Sequence, residues 1–194
     1  MVTRYHPILV VLHWILAFLI IAALSLGAVV MVKIPNTDPM KFEALRSHML
    51  GAMAIVFLMV IRLIIRSRTQ HPPAASTGSS GLDRLATISH RVLYIAVFGM
   101  GVSGLIMALQ TDLPHILFVG GNLPPDFWLY PIRSVHYVFS RLLLVSIALH
   151  IAGAMYHAVV LRDGLLKRMF FGRRMVRNSA SEVAPKSSLQ ESAP

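Results

Sequence analysis

The sequence predicts an all-α integral membrane protein, a four-helix up-down bundle with the N- and C-termini cytoplasmic. Three observations carry that expectation. The 194 residues are 56% hydrophobic and only 13% charged, with a mean hydropathy of +0.67, whereas soluble domains hold about 25% charged residues. The apolar residues gather into four runs, 8–32, 48–65, 92–109 and 135–161. The basic residues gather in alternate connections between those runs.

Each run is near the roughly 20 residues that cross about 30 Å of hydrocarbon. Each must be a helix, because an isolated strand cannot satisfy its backbone in lipid. The first run exceeds the apolar core of about 7–15 residues typical of a signal peptide, lacks a cleavage pattern and precedes three further spans.

Orientation follows from Lys and Arg. The connection after the second run holds Arg66, Arg68, Arg84 and Arg91. The C-terminal segment holds Arg162, Lys167, Arg168, Arg173, Arg174, Arg177 and Lys186. The third connection has Arg133 against Asp112 and Asp126, and the first is mixed: Lys33, Lys41 and Arg46 against Asp38 and Glu43. Both termini and the middle connection are therefore placed on the cytoplasmic side, and the other two connections in the periplasm of a bacterial inner membrane. On this reading the net charge of +10 is topology information, not a nucleic-acid surface. The absence of cysteine excludes disulfides, zinc–thiolate sites, iron–sulfur clusters and covalently attached haem.

Residues 70–82, with His71-Pro-Pro and a Ser/Thr/Gly tract, read as a flexible linker. Residues 111–131 are Pro- and Gly-rich and carry Phe127, Trp128 and Tyr130, aromatics suited to a membrane interface. Residues 178–194 read as a disordered cytoplasmic tail. That leaves 1–177 as one transmembrane domain.

The fourth run carries His136, His150 and His157. At about 100° per residue His136 and His150 share a helix face, and at about 1.5 Å per residue they stand roughly 21 Å apart along it. Imidazoles in hydrocarbon are costly and tend to be functional. His13 lies nine residues past Arg4, and His150 lies twelve before Arg162, so the two match in depth on the cytoplasmic side. His48 and His136 match in depth on the opposite side, close to Arg46 and Arg133. Two cross-helix pairs at two levels are what two low-spin b-type haems require. Gly51, Ala52, Ala54, Gly99, Gly101, Ser103, Gly104, Ala148, Ala152, Gly153 and Ala154 would leave room for the rings, or would simply allow close helix packing.

His90 and His157, at the cytoplasmic margin, form a third combination. A haem at His157 would lie roughly 31 Å along the helix from one at His136. His90 and His157 are therefore assigned to proton handling or quinone hydrogen bonding, with an interfacial structural role as the plain alternative. Arg62 is a candidate partner for a haem propionate. Arg141, inside the fourth run, either binds a propionate of the outer haem or snorkels to lipid phosphate.

Several stretches in register resemble the bacterial cytochrome b561 family, di-haem four-helix membrane proteins. They are Leu12-His13-Trp14, Val60 to Arg66 followed by Pro72-Pro73, Ser89-His90 through Tyr94, Leu149-His150 with His157, and the segment from Arg162 to Met169. The resemblance covers about Tyr5 to Arg174 and implies the same two ligand pairs. It also implies a redox function. One branch oxidises superoxide at the outer haem and reduces ubiquinone near the inner side. Carried over, this would give Arg133 and Arg141 an anion-attracting role and place His157 and His90 near a quinone. In that branch the protein is a superoxide:ubiquinone oxidoreductase. Elsewhere in the wider family it is a haem-b subunit that relays electrons for a larger respiratory oxidoreductase or redox partner protein. A third class, a non-redox transporter or scaffold bearing histidines, would more often show broken helices and mid-membrane acids. No Asp or Glu lies inside any of the four runs.

Overall fold

The structure, a computed structural model, describes residues 2–170 and 172. The tail expected at 178–194, and Arg173, Arg174, Arg177 and Lys186, lie outside the described residues. Among the described residues there is no strand, and four helical spans are long and apolar enough to cross a membrane: Pro7–Val30, Pro39–Arg68, Ser80–Gln110 and Ile132–Leu161.

Helix α1 (Pro7–Ser25) starts with Pro at its first position and with His6 Nδ1 accepting from the Ile8 amide. It continues through a wider turn at Leu26–Val30, closed by the bond from Met31 N to Leu26 O at 2.8 Å. Helix α2 (Pro39–Arg68) is capped by Asp38, which accepts from the Met40 amide at 2.8 Å. Pro39 at its first position suits a helix start, where no intrahelical donor is needed. Helix α3 spans Ser80–Gln110 and α5 spans Ile132–Tyr156, the latter prolonged by a wide turn at His157–Leu161.

The helices outrun the apolar runs that announced them. His48, placed by the sequence at the start of its helix, lies nine residues inside α2, and His90 lies ten residues inside α3. Hydropathy marks the part of a helix that sits in hydrocarbon, whereas capping residues mark where it begins. Thirty residues of helix rise about 45 Å, well beyond the hydrocarbon thickness. The linker at 70–82 is shorter than expected for the same reason. Asp83 accepts from Ser76 Oγ, the Thr77 amide and Thr77 Oγ1, which organises the chain before the first turn of α3. The connection at 111–131, Pro- and Gly-rich in sequence, holds a short helix α4 (Leu113–Phe118) and a single tight turn at Phe127–Leu129. Arg46 of α2 donates to Leu117 O at the end of α4.

In packing, α1 lies mainly against α2 and α3 mainly against α5. A cluster of Leu16, Ile55, Met59, Ala96, Val97 and Leu143 joins all four spans near mid-membrane. A second, formed by Ala108, Leu113 and Leu117 with Phe42, Leu45 and Met49 around it, seats α4 on the ends of α2 and α3. On the other side of the bundle the two ends of the described chain meet. Arg4 donates to Lys167 O at 2.8 Å and Phe170 O at 3.1 Å, and the Trp14 indole donates to Met169 O at 2.9 Å.

Gly99 sets the closeness of α3 and α5: a Cβ there would run into the Phe139 ring. Gly99→Ala is expected to destabilise the bundle by about 1–3 kcal/mol through overpacking. Thermal unfolding in detergent micelles should show the drop, and adding Phe139→Leu should recover most of it.

Candidate functional site: two histidine pairs at two levels

Each pair takes one ring from α5 and one from the hairpin of α1 and α2. The rings of His13 (α1) and His150 (α5) lie 6.1 Å apart, on the side where the chain ends meet. The rings of His48 (α2) and His136 (α5) lie 6.4 Å apart on the other side. The core cluster around Leu16, Ile55, Met59 and Leu143 belongs to the same four helices between these levels. The spacing is informative. Two imidazoles that face each other across one metal, each bonded at about 2 Å, would have ring centres about 6.3 Å apart.

Burial points the same way. His48 Nδ1 is buried and makes no hydrogen bond of ordinary geometry among the described residues, a costly condition in an apolar medium unless a further group engages the ring. One turn beyond His48 and His150 stand Gly51 and Gly153, where a methyl group would meet nothing within 4 Å. Gly27 and Gly104 crowd the ring edges instead: a Cβ at either would stand 3.4 Å and 3.3 Å from Cε1 of His48 and His136 respectively. The donor set, a pair of imidazoles at each level with a third, His90, beside His150, and no thiolate or carboxylate among the ring contacts, fits a low-spin haem iron. His13, His150, His48 and His136 are thus able to hold such groups.

Residues 4–172 match the prokaryotic cytochrome b561 family. The chain belongs to that family. Among its relatives, the protein named probable superoxide oxidase CybB of Yersinia pestis is 23% identical over 88% of this chain and 98% of its own length. Cytochrome b561 homolog 2 of Escherichia coli K12 is 26% identical over 86% and 90%, and homolog 1 is 23% identical over 88% and 99%. Membership gives the chain a b-type haem and a membrane electron-transfer role.

The other residues singled out from the sequence are distributed unevenly. Arg62 stands close enough to His13 and His150 to act on both electrostatically, and its guanidinium donates to the Tyr94 hydroxyl at 2.6 Å. Arg133 stands in the same relation to His48 and His136, with its guanidinium over the Trp128 ring. Arg141 lies on the exposed surface of α5, its guanidinium 4.7 Å from the Tyr137 ring centre. That position favours the snorkelling alternative and gives no geometric ground for a propionate contact.

His90 and His157, grouped by the sequence as one margin, have different neighbours. The His90 ring lies 5.2 Å from that of His150, and its Nδ1 donates to Ala86 O at 2.7 Å. His157 is buried and lies 2.6 Å from Asp163 Oδ2 through Nδ1. A carboxylate only accepts, so His157 Nδ1 carries the proton. The backbone turns sharply to bring the carboxylate back, with Arg162 at φ 51° and Gly164 at φ 72°.

Sequence reasoning did not find the partners: Tyr94 for Arg62, Asp163 for His157, Ser103 for His136. Ser103 was noted for its size alone. A hydroxyl inside an apolar helix is a buried polar group and needs an acceptor or donor in reach, which is the signal that was available.

The hydrogen bond from His157, reinforced by the Leu165 amide on the other oxygen, holds the Asp163 carboxyl below the usual carboxylate range. A lowered folded value means that the stabilisation is complete above the ordinary carboxylate range, about pH 4, and is lost as pH falls through the lowered value. In a carbon-13 NMR titration, the Asp163 midpoint should sit below that of an exposed aspartate and rise toward it in His157→Ala. An unchanged midpoint would contradict the pairing.

Proposed function

We propose that the chain holds two haem b groups, one between His13 and His150 and one between His48 and His136, and carries electrons through them across the bacterial inner membrane. The side where the chain ends meet is read as cytoplasmic from its Lys and Arg content. The electrons pass between a periplasmic-side donor or acceptor and the quinone pool. The observation that carries this reading is the repetition, at two depths, of a ring pair spaced for a shared metal. When bound, each haem supplies one-electron exchange at iron; the protein supplies ligation, orientation and field.

Arg62, fixed by Tyr94 and close to the cytoplasmic pair, is placed to neutralise a propionate there. The His157–Asp163 pair at the cytoplasmic margin suits proton delivery to a reduced quinone, since quinone reduction takes up two protons with two electrons. His90, beside His150 and with Nδ1 committed to Ala86 O, offers its other nitrogen as an acceptor for a quinol hydroxyl.

On the periplasmic side we read the electron donor as superoxide, which would make the chain a superoxide:ubiquinone oxidoreductase. The name of the Yersinia pestis relative supports this. So does Arg133, a cation beside the His48–His136 pair that would draw an anion toward it. A haem-b subunit serving a larger respiratory oxidoreductase would use the same ligands without that anion chemistry.

Two measurements test these statements separately. His13→Ala and His48→Ala should each lose about half of the haem of the purified protein, one two-ligand site having lost an axial imidazole. Two variants with unchanged haem would remove the ligand assignment. In stopped flow, superoxide should reduce the haem rapidly and ubiquinone should reoxidise it. Reduction only by a co-purifying partner would favour the subunit reading.

A further inference from the structure

Ser103 of α3 is 2% exposed and meets three polar atoms. Its Oγ lies 2.6 Å from Gly99 O, 3.2 Å from Met100 O and 3.0 Å from His136 Nδ1. A hydroxyl has one proton to donate, and carbonyl oxygens only accept. The shortest contact, back to the carbonyl four residues earlier, is the habitual bond of a serine inside a helix. With its proton committed there, Oγ meets His136 as an acceptor. His136 Nδ1 then carries the N–H, and Nε2 is left with its lone pair.

The same edge of the ring is held sterically. Gly104, the next residue, comes so close that a Cβ would stand 3.3 Å from His136 Cε1 and 3.6 Å from Nδ1. Two consecutive residues of α3 therefore fix the tilt and the tautomer of a histidine that belongs to α5. Of the four histidines in the two pairs, His136 is the one with a side-chain hydrogen-bond partner among the described residues, the Met100 carbonyl standing as a second acceptor near the same ring; its opposite number, His48, has a buried Nδ1 without a side-chain partner.

We infer that Ser103 is a positioning residue for the periplasmic-side haem: it locks His136 with Nδ1 protonated, presents Nε2 to the iron, and by accepting the Nδ1 proton makes the imidazole a stronger donor at that site alone. The inference rests on the haem reading above. A carbonyl, carboxylate or water that accepts from a metal-bound imidazole raises its basicity, and a more basic axial ligand favours ferric iron. Ser103 therefore holds the potential of the periplasmic-side haem down, while the cytoplasmic-side haem, between His13 and His150, is untouched by it.

Valine and threonine differ here in the hydroxyl and share the branched shape, so Ser103→Val and Ser103→Thr separate hydrogen bonding from packing. The experiment is a potentiometric titration of the full chain in detergent, followed by the haem absorbance. The component that disappears in His48→Ala identifies the periplasmic-side haem. In Ser103→Val that component should shift upward and the other should stay; in Ser103→Thr both should stay near their original midpoints. If Val and Thr shift the component equally, the effect is packing and the inference falls. If neither shifts it, the hydrogen bond does not tune the site and the inference falls while the ligand assignment stands. If His48→Ala removes neither component, the ligand assignment itself fails, and with it the basis for Ser103. Loss of one haem in Ser103→Val with retention in Ser103→Thr would support the inference, since the lone difference is the acceptor for His136.

Discussion

The constraint on which this bundle depends is the solvation of imidazole in hydrocarbon. Neutral imidazole has one donor and one lone pair, and lipid offers a partner for neither. A membrane bundle that keeps four such rings at membrane depth must meet their needs from neighbouring helices or from a bound group. The structure does some of both. Ser103 meets one nitrogen of His136, whereas His48 Nδ1 is buried with no hydrogen bond of ordinary geometry among the described residues, the Ala23 carbonyl being its looser neighbour. The ring separations of 6.1 and 6.4 Å are too wide for a direct hydrogen bond between rings, and suited to a shared metal.

This constraint also accounts for the packing. If the four spans closed on each other as tightly as a solid bundle, the rings would be crushed together and nothing could stand between them. Instead α1 keeps to α2 and α3 keeps to α5. The two hairpins meet through the core around Leu16, Ile55, Met59 and Leu143, and α5 sends a ring across to the other hairpin at each level. Glycines are used in opposite senses. Gly99 and Gly101 bring α3 against Phe139 and Val56, and Gly51 and Gly153 leave space one turn from a ring.

Much of this was legible in the residues. Four apolar runs specify four spans because lipid admits no other backbone solution. Matching His13 with His150 and His48 with His136 needed no more than helix rise and distance from the flanking basic residues. What the sequence concealed was of two kinds. Helix ends were concealed because the cap at Asp38 and the polar cage around Asp83 lie outside the hydrocarbon, where hydropathy is silent. Side-chain partners were concealed because Ser103 and His136, or Arg62 and Tyr94, are joined across helices at separations of 33 and 32 residues. No periodicity along one helix reports a contact with another. His90 and His157 show the same limit. Both sit near one margin in sequence terms, and rotation about their helix axes gives one to His150 and the other to Asp163.

The arrangement assigns unequal work to the two ends. At one end a basic side chain, Arg133, stands beside the His48–His136 pair, and one of its rings is held by a neutral hydroxyl. At the other, the surroundings carry proton chemistry: an arginine on a tyrosine hydroxyl, a histidine on a carboxylate, and a third imidazole beside His150. A one-electron exchange with an anion needs positive field and a tuned ligand, and little else. A two-electron, two-proton exchange needs groups that can hand over protons where water is scarce. On the function proposed above, this distribution of titratable groups would give the path a direction, with the anion at the end bearing Arg133 and the quinone at the end where Arg4 and Trp14 tie down the segment after Asp163. That tie matters to the His157–Asp163 pair because Asp163 is flanked by two left-handed residues, Arg162 before it and Gly164 after it. A turn of that kind holds its shape when both flanks are anchored, by α5 before it and by the bonds from Arg4 and Trp14 after it.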